Sequence, residues 1–333
     1  MVLKDKCGSL FLSVVSIICL AVTLFSVYLL LDNKQIINEN FSLKEYTVEN
    51  STEITQPSVS EESEAVETVS PENAVGKISE KTVSPYTENT SYNNIYVNNK
   101  TKQPFNISEF LKEDFNIKFS KNSTPQALII HTHTSECYLK ESRDYYTESD
   151  VTRTTDTSYN VVAVGDVIAK KLNNAGFNTL HDTTVHDTAY TGSYSRSAKT
   201  IKKYLSEYPS IKLVIDVHRD SIGSDTNKVK PVTVIQNRKA AQVMLVMCCG
   251  EGIDDFNNWR DNLKFALKFQ QTMEVMYPSL ARSMHYLSYK YNQNLSTPSI
   301  LLEVGTDSNS IEEALTGADF AANALVAYMN TLS

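Results

Sequence analysis

The chain has 333 residues, room for one large domain or two small ones, and its 39 acidic against 31 basic side chains leave a net charge of −8. That balance excludes a basic nucleic-acid-binding face. Five cysteines without Cys-x-x-Cys spacing exclude a disulfide framework and a cysteine zinc site, so Cys137, Cys248 and Cys249 are expected to be small buried hydrophobes.

In chain order, Cys7 to Leu31 is an uncharged apolar run of 25 residues, long enough to span a bilayer. Residues 1–32 therefore read as a cytoplasmic tip and a single transmembrane anchor. Lys4 and Lys6 favour a cytoplasmic N-terminus, and a cleaved export signal is the competing reading. Either way the remainder is placed outside the cytoplasm. Residues 33–90 hold eleven Glu and four Lys among Ser, Thr, Pro and Asn, the composition of an acidic disordered tether. The linker and pre-domain segment is drawn at 33–125, with a short amphipathic helix foreseen over 107–115.

From residue 126 onward the pattern alternates between strand and helix. Ala127–Ile130 reads as a buried strand, Asn160–Gly176 as a helix stopped by glycine, and Phe177–Leu180 as a second strand. A helix is expected over Ser195–Tyr208, then strands at Ile211–Val217, Val232–Ile235 and Gln242–Met247. Trp259–Met276 is a long amphipathic helix and Pro298–Val304 a strand. Ser310-Ile-Glu-Glu313 is a capping box opening the last helix, which runs through Tyr328. This order predicts one α/β domain over 126–333, with a mostly parallel sheet flanked by helices.

Three strand-like runs end in metal-ligand or acid–base side chains. The first gives His131-x-His133-x-x-Glu136, the second gives His218, and the third carries Glu303. Open α/β sheets bind ligands at the carboxyl ends of their strands, so the three ends can meet in one cleft. Zinc accepts imidazole nitrogen and carboxylate oxygen and keeps a position for water in catalytic sites. His133, Glu136 and His218 are the expected ligands, with Asp216 or Asp220 orienting His218. His131 is the alternative ligand or a contact to the reaction intermediate. Glu303 is expected either to be a general base or to form a buried ion pair with Arg196, Arg219 or Arg282. A serine nucleophile at Ser135 or Ser221 is disfavoured because no Gly-x-Ser-x-Gly elbow exists. His181, His186 and His285 carry no spacing signal and read as surface or loop residues.

The blocks Ile130-His-Thr-His-Thr-Ser-Glu-Cys-Tyr138, Ile215-Asp-Val-His-Arg-Asp-Ser221, Tyr291-Asn-Gln-Asn-Leu295 and Leu302-Glu-Val-Gly-Thr-Asp-Ser-Asn309 closely resemble the stage II sporulation protein P family over roughly residues 125–333. The resemblance implies a phosphorylase/hydrolase-like fold and a zinc-dependent N-acetylmuramoyl-L-alanine amidase, with cross-link endopeptidase activity attributed to the family. It further implies work on septal peptidoglycan during engulfment, beside stage II sporulation proteins D and M. In ordinary cell-wall amidases a ligand Glu opens the helix after the first His. Here the helix beginning near Asn160 offers none, and Glu136 stands in for it. Arg219 and Asn292 are the expected substrate contacts. The rival readings are a zinc peptidase confined to stem-peptide bonds and a non-catalytic wall-binding scaffold.

Overall fold

In the computed structural model, which describes residues 73–333 apart from 88, 89 and 114, regular structure begins at once. Ala74–Lys81 is strand β1, Thr90–Tyr92 and Ile95–Asn99 are the antiparallel pair β2 and β3, and Ile107–Lys112 is helix α1. There follow β4 (Ala127–Ile130), β5 (Tyr145–Thr147), α2 (Val161–Asn174), β6 (Thr179–His181), α3 (Ser193–Glu207) and β7 (Leu213–Asp220). The chain continues through β8 (Asn227–Ile235), β9 (Arg238–Ala241), β10 (Val243–Cys248), α4 (Trp259–Met276), β11 (Met284–Leu287), β12 (Ser299–Thr306) and α5 (Ile311–Thr331).

The fold is α/β, and its main sheet has eight strands in the order β2-β3-β11-β10-β12-β7-β4-β6. Five of its seven strand contacts are parallel; β2–β3 and β10–β12 run antiparallel. The sheet is thus mostly parallel, as expected, but in two parallel blocks, β3-β11-β10 and β12-β7-β4-β6, that run opposite to each other across the β10–β12 contact. A second sheet of four strands, β5-β1-β8-β9, was foreseen only in the strand at Val232–Ile235, which lies within β8.

Successive side chains of a strand point to opposite faces, and the two faces here are covered unequally. Ile129, Ile215, Val217, Leu302 and Val304 face a large core shared with α2, α4 and α5. Leu128, Ile130 and Val214 face the other way, where α3 covers them with Ile201, Tyr204 and Leu205. The same parity turns Asp216, His218 and Glu303 toward this lightly covered side. Helix ends follow the expected chemistry: Asn160 caps α2, Gly176 stops it at φ +90°, and Ser310 and Glu313 form the reciprocal capping box of α5. The buried, unpaired Cys137, Cys248 and Cys249 act as small hydrophobes, as foreseen.

The linker boundary needs correction. Residues 74–99, assigned to the linker, supply an inner strand of the second sheet and two strands of the first. β1 lies between β5 and β8, with Ile78 buried against Leu139 and Tyr146. Only Ile78 of its eight residues is buried, so hydrophobic patterning is nearly silent and the ladder hydrogen bonds hold the strand. Ile95 and Val97 are wholly buried in β3, and α1 forms inside the span foreseen for it. The expected anchor at 1–32 and the tether as far as residue 72 lie outside the described residues. Among the described residues no helix is long and apolar enough to cross a membrane.

The folded unit should therefore start well before residue 91. A chain beginning at Thr68 is expected to melt like the full chain. One beginning at Ser91 loses β1 and the burial of Ile78, worth about 1.5–3 kcal/mol, and should melt roughly 3–12 °C lower. Thermal unfolding followed by circular dichroism decides; equal melting temperatures would make β1 dispensable.

Candidate active site

β4, β7 and β12 are neighbours in the sheet and run parallel, so their carboxyl ends share one edge. Glu303 of β12 pairs in register with His218 of β7. Beyond β4 the chain makes a turn in which the Glu136 N–H donates to the His133 carbonyl at 3.0 Å. This turn sets the two side chains of the His-x-x-Glu pair toward the end of β7. Glu136 Oε2 lies 3.2 Å from His218 Nδ1, and the rings of His133 and His218 meet edge to face at 5.4 Å. His133, Glu136, His218 and Glu303, assembled from three separated stretches, thus occupy one site.

Charge in the site is tightly confined. Burial disfavours a charged His218, but Asp216 and Glu136 outweigh it and hold its pKa well above the ordinary range. Asp216 Oδ1 sits 3.0 Å from His218 Nε2, out of line for a hydrogen bond, while the same carboxylate accepts from the Thr132 N–H and hydroxyl. Of the two aspartates considered for orienting His218, Asp216 therefore fills the role. Burial alone would raise Glu136; His218, Arg219 and His133 overcome it and bring the carboxyl below its usual range. Glu303 is the opposite case. Burial pushes it up to about 8, Asp220 and Glu136 reinforce the rise, and His218 and Arg282 resist it. Of the three arginines considered as its partner, Arg282 is the one whose charge bears on Glu303, and it is paired with Asp220 at 2.9 Å.

Three buried polar atoms here have no hydrogen-bond partner: His133 Nδ1, His218 Nε2 and Glu303 Oε2. His218 Nε2 has the Asp216 charge 3.0 Å away, whereas the His133 and Glu303 atoms are bare, and a bare buried polar atom costs about 1–3 kcal/mol. Two imidazoles and a carboxylate are a zinc donor set, and an unpartnered buried His133 nitrogen fits such a ligand. No three His, Cys, Asp or Glu among the described residues are arranged as a ready metal cage.

Several expected residues stand elsewhere. His131 is fully buried with both ring nitrogens engaged, Nδ1 with the Val217 carbonyl at 2.9 Å and Nε2 with His181 Nε2 at 2.8 Å. Burial, with His181 adding, drives its pKa down to about 3. It braces β4 against β7 and has no nitrogen left for a metal or an intermediate. Arg219 is also buried and turns inward, donating to the Thr152 carbonyl at 2.7 Å and the Cys137 carbonyl at 3.4 Å, while its backbone N–H reaches Glu136 Oε2 at 3.2 Å. It holds the Glu136 loop and does not face a substrate. Asn292 donates to the Tyr194 carbonyl at 2.9 Å and the Ser197 hydroxyl at 3.0 Å, a stitch between its loop and α3.

The chain matches the family model described as "Stage II sporulation protein P" over residues 31–326. It belongs to the stage II sporulation protein P family. Stage II sporulation protein P of Bacillus subtilis (strain 168) is 28% identical over 207 residues, 59% of this chain and 49% of that protein, so the chain spans about half the length of this curated relative. Among solved structures, the N-acetylmuramoyl-L-alanine amidase AmiC2 of Nostoc punctiforme is similar at a TM-score of 0.36 and 12% identity, covering 64% of this chain and 99% of that one. The CwlD amidase of Clostridioides difficile, solved with the GerS lipoprotein, is similar at a TM-score of 0.38 and 11% identity, with coverages of 62% and 98%.

Other residues of the site were not singled out from the sequence. Arg153 bridges Asp187 at 2.5 Å and Glu136 at 3.4 Å, and Asp187 also accepts from Ser135. That bond commits the Ser135 hydroxyl to holding a loop. The Tyr190 ring lies flat on His133 at 4.8 Å, and Tyr194 meets His133 edge-on at 5.6 Å. His181 and His186, expected to be surface or loop residues, are structural: His186 lies in a loop but is buried and bonds the His131 carbonyl, and His181, at the end of β6, carries His131 to Asp166. Gly165 in α2 makes room for the histidine pair, since a Cβ there would stand 2.5 Å from His181 and 2.8 Å from His131.

The raised pKa of Glu303 has a consequence for stability. Between about 4.5 and 8 the native state keeps a proton that the unfolded chain has released, so stability falls as pH rises through that window. Glu303→Gln, which cannot ionise, should therefore melt higher than wild type at pH 8–9 with chelator present, and the gain should shrink toward pH 5. Melts at both ends of the range check this; a difference independent of pH would show that Glu303 does not titrate there.

Proposed function

We propose that this chain is a zinc-dependent N-acetylmuramoyl-L-alanine amidase that cuts the lactyl amide between glycan and stem peptide. The convergence of His133, Glu136, His218 and Glu303 at one sheet edge, with unpartnered buried atoms on His133 and Glu303, carries the reading. Family membership points to sporulation, and the substrate would be septal peptidoglycan, thinned during engulfment. The same reading includes a phosphorylase/hydrolase-like fold and stage II sporulation proteins D and M as partners. It also includes a single-pass anchor within residues 1–32 that leaves the catalytic unit outside the cytoplasm, which fractionation of chains with and without that segment tests.

His133, Glu136 and His218 would hold the zinc, which when bound polarises the carbonyl and acidifies water. Glu303, with its partnerless Oε2, accepts the proton of the attacking water as the water oxygen bonds to the carbonyl carbon. The C–N bond breaks, and Glu303 returns that proton to the departing L-alanine nitrogen. A carboxyl poised near pH 8 holds and releases a proton with little penalty either way. Arg219 and Arg153 keep the Glu136 loop in place, and Asp216 holds His218.

The full chain should carry about one zinc, as a three-ligand catalytic site does. Alanine at His133, Glu136 or His218 should lose metal and activity with the fold retained. Elemental analysis of each variant tests the assignment, and a His133→Ala chain that keeps its zinc while His131→Ala loses it would reverse it. A chain that binds no zinc would support the wall-binding scaffold instead.

Glu303→Gln should keep the metal and lose about 10²-fold or more in turnover. Near-normal turnover would leave Glu303 a structural group. The His-x-x-Glu turn serves a stem-peptide peptidase equally well, and mass spectrometry of digested sacculi separates the two. A new L-alanine amine at the stem terminus marks the amidase, and a new amine inside the peptide marks the peptidase.

A further inference from the structure

Beside the candidate centre lies a groove of about 370 Å³ lined by Tyr194, Tyr289, Lys290 and Tyr291. Its volume falls within the range of about 300–1,000 Å³ typical of small-ligand sites. The rings form an unbroken series leading to the catalytic histidine. Tyr289 and Tyr291 are 6.1 Å apart, Tyr291 and Tyr194 5.8 Å, and Tyr194 and His133 5.6 Å. The outer end is open: Tyr289 is 68% exposed, as is Tyr190 on the far side of His133. Tyr291 and Tyr194 are half-buried, so the series runs from an exposed mouth inward toward His133, the form of a ligand groove.

The groove is built and held. Tyr291 and Asn292 adopt left-handed backbone conformations, φ +47° and +57°, which surrounding structure must enforce in residues other than glycine. Asn292 supplies part of that enforcement, tying its loop to the Tyr194 carbonyl and the Ser197 hydroxyl of α3. Both walls of the groove are thereby fixed to one another before any ligand arrives, which lowers the entropic cost of binding.

We infer that this groove is a saccharide subsite in which one pyranose ring of the glycan strand lies against the tyrosine faces. A pyranose presents a face of weakly positive C–H bonds, which suits the negative face of an aromatic ring. Its hydroxyl and N-acetyl oxygens suit the phenol hydroxyls and the three donors of Lys290. A polyanion fits poorly, because Lys290 is the one cation among the residues lining the groove. The inference rests on the amidase reading, in which the acyl half of the cleaved bond belongs to a sugar. It places the glycan on the Tyr194 side of His133.

The test uses the full-length chain and a soluble N-acetylglucosamine tetrasaccharide, with binding read by saturation-transfer NMR and titration. Tyr289→Ala removes an exposed ring, so its melting temperature should match wild type. Its affinity for the tetrasaccharide should fall about 3- to 10-fold, the scale of one aromatic stacking contact, and Tyr289→Phe should restore it. On sacculi the Ala variant should show a raised KM with kcat retained. Unchanged tetrasaccharide affinity in Tyr289→Ala overturns the subsite even if L-alanine amines are still released, in which case the amidase reading stands. Tetrasaccharide binding that depends on Tyr289 supports the subsite even if sacculi yield only amines internal to the peptide, in which case the amidase reading alone falls. Tyrosine-dependent binding of a soluble stem peptide with none of the sugar makes the groove a peptide site and overturns the proposal.

Discussion

Two buried carboxylates, Glu136 and Asp216, flank one imidazole, His218, and the remainder of the site is arranged around keeping that charge in place. Each acid taken out of water would favour its neutral form, yet both are held ionised because His218 lies within 3.2 Å of one and 3.0 Å of the other. Removing one member of such a group leaves a buried charge without compensation, which is far costlier than the net worth of the pair. The supporting bonds follow from this. Thr132 gives Asp216 two hydrogen bonds, the Arg219 backbone gives one to Glu136, and the Arg219 side chain fastens the loop that carries Glu136. A guanidinium directed inward is a poor substrate clamp and a good brace.

Glu303 stands outside this compensation, and the contrast gives the site its chemical asymmetry. It faces the same side of the sheet and is paired in register with His218, but its Oε2 has no donor and neighbouring acids press its pKa upward. One carboxylate is thus kept charged and another kept near the point of titration, at neighbouring positions on two strands. Pairs of acids pushed apart in this way divide naturally into a fixed electrostatic role and a proton-transfer role. The cost falls on the fold, which would be more stable at alkaline pH with an amide at position 303.

How much of this was legible in the sequence depended on burial. β4, β7 and β12 are buried on both faces, so they read as continuous apolar runs, and a lone His or Glu at their ends stood out. Of the second sheet only the buried end of β8 left such a trace: β1 is exposed at most positions and β5 is three residues long, so neither periodicity nor composition marks them. Arg153, Asp187 and Tyr190 come from irregular segments, where neither period places a side chain. His131 was misjudged for a different reason. Alternation put it on the same side as His133, but the chain leaves the strand at Ile130, and the turn buries one ring while presenting the other. A sign of the aromatic wall did exist. Tyr286-Leu-Ser-Tyr-Lys-Tyr291 sets three tyrosines within six residues, and Tyr190 and Tyr194 stand four apart just ahead of and within the first turn of α3.

The unequal covering of the main sheet explains why the proposed catalytic and binding features share one face. Helices α2, α4 and α5 close the opposite side with a continuous core, whereas α3 shields only the β4–β7 part of this side, through Ile201, Tyr204 and Leu205. Past the reach of α3, Met244, Val246 and Leu301 form a small apolar patch covered by Leu287 and Tyr291 from a loop. A loop can be shaped by its own constraints more freely than a packed helix, and here Asn292 and the left-handed residues shape it into a groove wall. The sheet edge that supplies His218 and Glu303 is therefore continuous with a surface on which a flat, uncharged ring can lie. In this arrangement the rigid strands fix the reacting groups, and the loop between β11 and β12 sets what is brought to them.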